Sequence, residues 1–292
     1  MKSLIVNADD FGRSRQVNAG VYHAHKHGVL TSASLMVAEP AAAEAAELGR
    51  DCPALDVGLH IVSCNGRSLL PASRLHGVVD DQGRFPASEV WAGLRYAFRP
   101  SLRARLRDEF RAQIERHLSL IGYLHHLDGH HNLHLHPALA DILIDLASEY
   151  KISCLRLVRE PIFTTLRLAP DHASRKLRDH LIFRVLSARA ARRMRPHGTL
   201  GNDWTFGFHQ TGRLTERYLL GVLARLPEDS VTEFYFHPAV EADGEPPMWP
   251  SQAAETTLLT KGTIAAALQE HGIGLTTFRD LARKDLMRSL RL

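Results

Sequence analysis

The stretch Leu4-Ile5-Val6-Asn7-Ala8-Asp9-Asp10-Phe11-Gly12, followed by Ser14 and a helical pattern running to His27, reads as one strand–turn–helix unit. Three consecutive aliphatic residues suit a strand buried on both faces, the usual state of a strand in a parallel sheet. Ser14 offers an N-cap oxygen after the Phe11-Gly12 turn, and Gly28 is expected in the left-handed position that ends a helix. The alternation then repeats. Strands are expected at 33–37, 57–61, 124–127, 155–158, 233–236 and 274–277, with helices at 41–49, 101–121, 138–150, 215–226 and 261–271. So many units, with no Gly/Ser/Pro-rich linker and no internal repeat, predict a single-domain α/β protein, a (β/α) TIM-like barrel spanning 1–292 rather than two domains.

Composition agrees with a soluble enzyme-sized fold. With 292 residues, 45% of them hydrophobic, the chain can bury a large core, which excludes disordered and fibrous classes. Cys52, Cys64 and Cys154 are odd in number and form no CxxC pair, so neither a disulfide framework nor a zinc ribbon is expected, and a reducing cytoplasm is the simplest setting. The opening MKSLIVNADD is too short and too acidic for a signal peptide, and no run reaches the roughly 18 apolar residues of a membrane span. The net charge of +4 is unevenly placed, with arginines concentrated at 95–116 and 175–195. In the second stretch Leu177, Leu181, Ile182, Val185 and Leu186 fall at helical spacing among arginines. That pattern fits either a solvated Arg face over a core stripe or an amphipathic helix at the inner face of a membrane. No aromatic interleaving accompanies the charge, so nucleic acid is not an expected partner.

Barrels place their chemistry at the C-terminal ends of strands. Here those ends carry Asp9-Asp10, then His60, then Asp128-Gly129-His130, and finally His237-Pro238, so four strands deliver carboxylate or imidazole to one rim. The densest element is the run His126 to His136, closed by Pro137, which holds five of the 18 histidines and Asp128. Imidazole beside carboxylate suits a borderline divalent cation.

These motifs carry a resemblance. NADDFG at 7–12, GLH at 58–60, LDGHHNLHLHP at 127–137 and FHPA at 236–239 resemble, in order and spacing, the YdjC-like carbohydrate deacetylases. The likeness extends through TSASLMV at 31–37 and KGTIAAALQEHGIGLTTFRDL at 261–281, and is weakest over 160–200, which reads as an Arg-rich insertion or lid. It implies a distorted (β/α) barrel and metal-dependent removal of an acetyl group from an N-acetylated amino sugar. The Arg-rich middle and the segment TLGNDWTFGFHQTGRLT look like the hopanoid biosynthesis-associated branch, which implies an N-acetylglucosaminyl hopanoid as substrate, with a chitooligosaccharide as the alternative.

Carried over by position, the resemblance implies Asp10, His60 and His130 as ligands of one divalent ion per chain. Zinc is the first choice, with magnesium, nickel, cobalt or manganese also compatible. Asp9 is then placed to act as general base and His237 as the acid that protonates the leaving amine. Asp128, His131, His134 and Arg156 are read as supporting or substrate-contacting residues, and His136 as background at the start of the helix after Pro137. The family pattern has a third consecutive histidine where this chain carries Asn132. Two other classes stay open: another metallohydrolase or sugar-phosphate enzyme, for which Gly198, Gly201 and Gly207 would supply phosphate contacts, and a basic, metal-binding interaction protein without catalysis. A homo-oligomer is compatible with all of these.

Overall fold

The computed structural model describes residues 2–289. Eight parallel strands form one sheet: β1 (Lys2–Phe11), β2 (Ser32–Leu35), β3 (Asp56–Ile61), β4 (His126–Gly129), β5 (Cys154–Leu155), β6 (Trp204–Phe206), β7 (Ser230–Phe236) and β8 (Ile273–Leu275). Their spatial order is β5-β4-β3-β2-β1-β7-β6, and β8 pairs only with β1. A regular barrel would seat β8 between β7 and β1. Here β7 runs directly along Lys2 to Ala8 of β1, while the other edge of β1 is shared by β8 at Lys2–Leu4 and β2 at Asn7–Phe11. A parallel bridge between Cys154 and Leu200 draws the segment leading into β6 alongside β5, so the two ends of the strand path curl toward each other. The architecture is a single α/β domain, a distorted (β/α) barrel.

The first unit forms largely for the expected reasons. Leu4, Ile5 and Val6 are buried in β1, and the Ser14 side chain accepts the Val17 N–H at the start of the Arg15–His27 helix. Gly28 departs from expectation: its φ of −139° is not left-handed. Glycine is required there by space instead, because a Cβ would sit 2.3 Å from the Leu259 carbonyl oxygen and 2.8 Å from that of Ala24.

Between β5 and β6 the weakly matched segment forms two helices, Ile162–Leu168 and Ala173–Met194. The arginines of the longer helix are not one solvated face. Arg189 and Arg193 pair with Asp141 on the Pro137–Glu149 helix, and Lys176 is buried against Asp171 and the Ala169 carbonyl. The amphipathic surface that remains exposed is the part carrying Leu177, Leu181, Ile182 and Val185.

Candidate active site

At the end of β1 the register slips between Ala8 and Phe11, and Asp10 adopts a left-handed φ of 65°. For a non-glycine residue this costs about 1–3 kcal/mol and persists only where the surroundings impose it. The slip turns two successive carboxylates into the barrel mouth, and both Asp9 and Asp10 are buried.

Asp10, His60 and His130 converge, each buried, with one ligand atom apiece lying within 4.8 Å of the others. Asp10 Oδ1 is 2.9 Å from His130 Nδ1 and 3.4 Å from His60 Nε2. The outer nitrogen of His60, Nδ1, donates to Asp128 Oδ1 at 2.7 Å, which turns Nε2 toward Asp10 as the nitrogen that would face a cation once its proton is displaced. Asp128 is held in turn by the Ser34 hydroxyl at 2.7 Å and by Arg156 at 2.7 Å. Asn7 completes this layer, donating to both Ser34 Oγ and Asp9 Oδ1.

Three buried aspartates, Asp9, Asp10 and Asp128, set the electrostatics around the two imidazoles, with Arg156 and Arg13 as their fixed counter-charges. Burial opposes ionisation of Asp10, yet His130 and His60 hold its carboxyl well below the usual range. Burial likewise opposes charging His60, but Asp128, Asp9 and Asp10 outweigh it and raise the imidazole to about 10. Such a field favours a cation between these groups, whether a proton or a metal. Asp10 Oδ1 is fully buried with no well-aligned hydrogen bond, although His130 Nδ1 lies 2.9 Å away, which also fits an oxygen that would ligate a cation. One carboxylate oxygen and two imidazole nitrogens form an N2O set that suits zinc-class divalent ions with positions left open.

Asp9 has different partners from Asp10, although it too lies close to His60. Arg156 grips both its oxygens and donates through Nε to Glu233, all within a fully buried pocket under the Tyr235 ring. Arg156 therefore clamps Asp9, and its complete burial keeps it from a sugar hydroxyl. Burial pushes Glu233 up to about 7 despite the guanidinium beside it.

The remaining expected residues divide. His237 ends β7 with its ring partly exposed, its backbone N–H donating to Glu255 and its ring edge-on to Tyr235. His131 is half-exposed, edge-on to His130 and 3.8 Å from Glu89. His134 is buried and points away from the mouth, its Nε2–H donating to the Arg156 carbonyl, while His136 caps the Pro137–Glu149 helix by accepting from Ala138. His126 lies beneath the site, stacked on Phe278. Asn132, with a left-handed φ of 54°, donates to the Tyr235 hydroxyl, a conformation asparagine tolerates better than most residues.

Sequence reasoning did not find Arg13, Asn7, Ser34 or Glu233. Arg13 bridges the centre, with Nη1 3.0 Å from Asp10 Oδ2 and 3.1 Å from His130 Nε2, and its guanidinium lies over the Trp249 ring. Only its place just after the Asp9-Asp10 turn could have signalled it.

Carboxylates and imidazoles gathered at the C-terminal mouth of a parallel barrel, around a place for a cation, define a (β/α)-barrel hydrolase. The chain belongs to the YdjC-like protein family, whose model matches residues 3–270. It is 31% identical over 280 residues to a carbohydrate deacetylase of Geobacillus stearothermophilus, covering 94% of this chain and 96% of that protein. A carbohydrate deacetylase of Vibrio vulnificus strain YJ016 is 39% identical over 149 residues, a match that spans 51% of this chain and 56% of the relative. Among solved structures, a protein of Enterococcus faecalis V583, provisionally described as a cellobiose-phosphate cleavage protein, superposes with a TM-score of 0.74 at 24% identity. That match covers 96% of this chain and 98% of the other, and supports the fold.

Proposed function

We propose that this protein is a metal-dependent carbohydrate N-deacetylase, and that its substrate is an N-acetylglucosamine unit carried on an apolar lipid of the hopanoid kind. The observation that carries the reaction is the pairing of two adjacent carboxylates with opposite surroundings. Asp10 shares its space with His60 and His130, and Asp9 is locked by Arg156.

Asp10, His60 and His130 would hold the divalent cation, zinc by preference. When bound, such an ion supplies Lewis acidity, polarising the acetyl carbonyl and acidifying water. Asp128 fixes the His60 tautomer so that Nε2 faces inward. Asp9 takes the proton of the attacking water, and the Arg156 fork holds its carboxylate in place. As the tetrahedral adduct collapses and the C–N bond breaks, His237 gives a proton to the departing nitrogen. The products are acetate and the free amino sugar.

The lipid-linked substrate is favoured over a chitooligosaccharide by a largely apolar cavity of about 440 Å³ in the segment after β5, where Ile162, Phe163, Phe183, Trp204 and Phe208 form the wall and Arg159, Glu160, His180, Arg184 and His209 also line it. A sugar can stack its C–H faces on such rings, but an extended apolar aglycone buries more apolar area there, at about 25 cal/mol per Å². On this reading the 160–200 segment serves as a lid over the aglycone, residues 175–195 touch the membrane, and the protein works in the cytoplasm at the inner leaflet. Zinc-loaded protein given an N-acetylglucosaminyl hopanoid and, separately, a chitooligosaccharide should release acetate from both and turn over the lipid-linked sugar with the higher kcat/KM. Preference for the oligosaccharide would remove the lipid assignment, and no release from either would remove the deacetylase.

A further inference from the structure

The helix Glu89–Phe98 turns the wrong side to water. Val90, Trp91, Leu94 and Phe98 lie along one face and are between 48% and 79% exposed, while Ala92 and Tyr96 supply the buried side. A face of four large apolar residues is not the ordinary scatter of single exposed hydrophobes.

Its place in the fold gives it meaning. The helix lies in the connection after β3, and Tyr96 anchors it by donating to the Ser63 carbonyl just beyond the end of that strand. It rests on the turn that carries His130, with Glu89 beside His131 and Gly93 against the His136 ring. The Ala173–Met194 helix packs against the same His130–Leu135 turn and is tied to the end of β5 by Ser187, which donates to the Val158 carbonyl. It exposes Leu181, Ile182 and Val185 by 47% to 67%. Two helices that expose apolar side chains thus pack on the turn that carries His130. Arg95, Arg99 and Arg184 stand among them without a carboxylate partner within the described residues. Aromatic and aliphatic side chains interspersed with unpaired arginines match an anionic bilayer surface, into which the apolar side chains insert while the guanidiniums meet lipid phosphates.

We infer that Glu89–Phe98 is a membrane-docking helix, acting together with the exposed part of Ala173–Met194 to seat the catalytic mouth on an anionic lipid surface. This goes beyond the proposed chemistry and does not depend on it.

The test is co-sedimentation of the full chain with vesicles of phosphatidylcholine plus phosphatidylglycerol and with phosphatidylcholine alone. Binding should require the anionic lipid and weaken with salt. The double variant Trp91→Glu, Phe98→Glu should bind roughly tenfold more weakly or worse. It should keep the wild-type circular dichroism spectrum and acetate release from a water-soluble chitooligosaccharide. Equal binding by wild type and variant, or no binding to anionic vesicles, would overturn the inference. So would a wild-type dimer in sedimentation velocity that the variant converts to monomer, because the face would then be a subunit interface. Vesicle binding by a protein without deacetylase activity would leave docking intact and remove only the proposed reaction.

Discussion

Arg156 holds Asp9 by two parallel bonds, Nη1 to Oδ2 at 2.8 Å and Nη2 to Oδ1 at 2.7 Å, while contacting Asp128 and Glu233 at the same time. One buried guanidinium thus organises both the proposed base and the carboxylate that orients His60. Lysine cannot reproduce the planar fork. Arg156→Leu leaves three buried carboxylates facing one another and should cost about 3–5 kcal/mol in urea unfolding. Arg156→Lys should lose less stability but still lower kcat, because Asp9 is no longer held at two points. Wild-type stability in the leucine variant would contradict the role assigned to this residue.

In the proposed site Asp128 acts on the cation through His60, whose Nδ1 it holds at 2.7 Å. Asp128→Asn can turn its amide N–H toward the imidazole and disturb which nitrogen carries the proton, so zinc affinity should fall by about 10–100-fold. Competition against a fluorescent zinc chelator measures this directly, and unchanged affinity would show that Asp128 does not set the His60 tautomer.

Acid stability depends on histidines away from the mouth. Burial pushes His117 down from 6.5 to about 3 and His134 from 6.5 to about 4. Between those values the unfolded chain binds the extra protons. Their contribution is therefore complete above about pH 6.5 and is lost as pH falls toward the folded values. Each can tilt stability by at most about 1.4 kcal/mol per pH unit. Urea unfolding between pH 7 and 4.5 should show this decline, and His117→Leu should flatten it. An unaltered slope in the variant would exclude His117 as a source.

Much of this was legible in the sequence, because strand ends are marked by residues that cannot be buried without partners. The Asp9-Asp10, His60, Asp128–His130 and His237 groups identified the rim before any coordinates did. β6 escaped notice because three residues are too few to show a period, and its place is set by Asn202 and Thr205 bonding to Leu157 across the sheet. β5 was expected at 155–158 but is only Cys154–Leu155, its continuation diverted into contacts with Asn202 and the loop beyond. The Glu89–Phe98 helix has an apolar face turned to solvent, so periodicity would have assigned that face to the core. Asn7, Ser34 and Glu233 were invisible because their roles come from alignment between strands. The density of histidines at 126–136 overstated their shared purpose: His130 joins the cluster, His134 holds a backbone carbonyl and His136 caps a helix.

Asp9→Asn tests the central claim most directly, through acetate release and bound zinc measured on the same preparation. The substitution keeps the shape of the side chain and removes its capacity to take a proton, so zinc content should stay at the wild-type level while kcat falls by about 10²–10⁴-fold. Wild-type acetate release by a zinc-loaded Asp9→Asn protein would contradict the account.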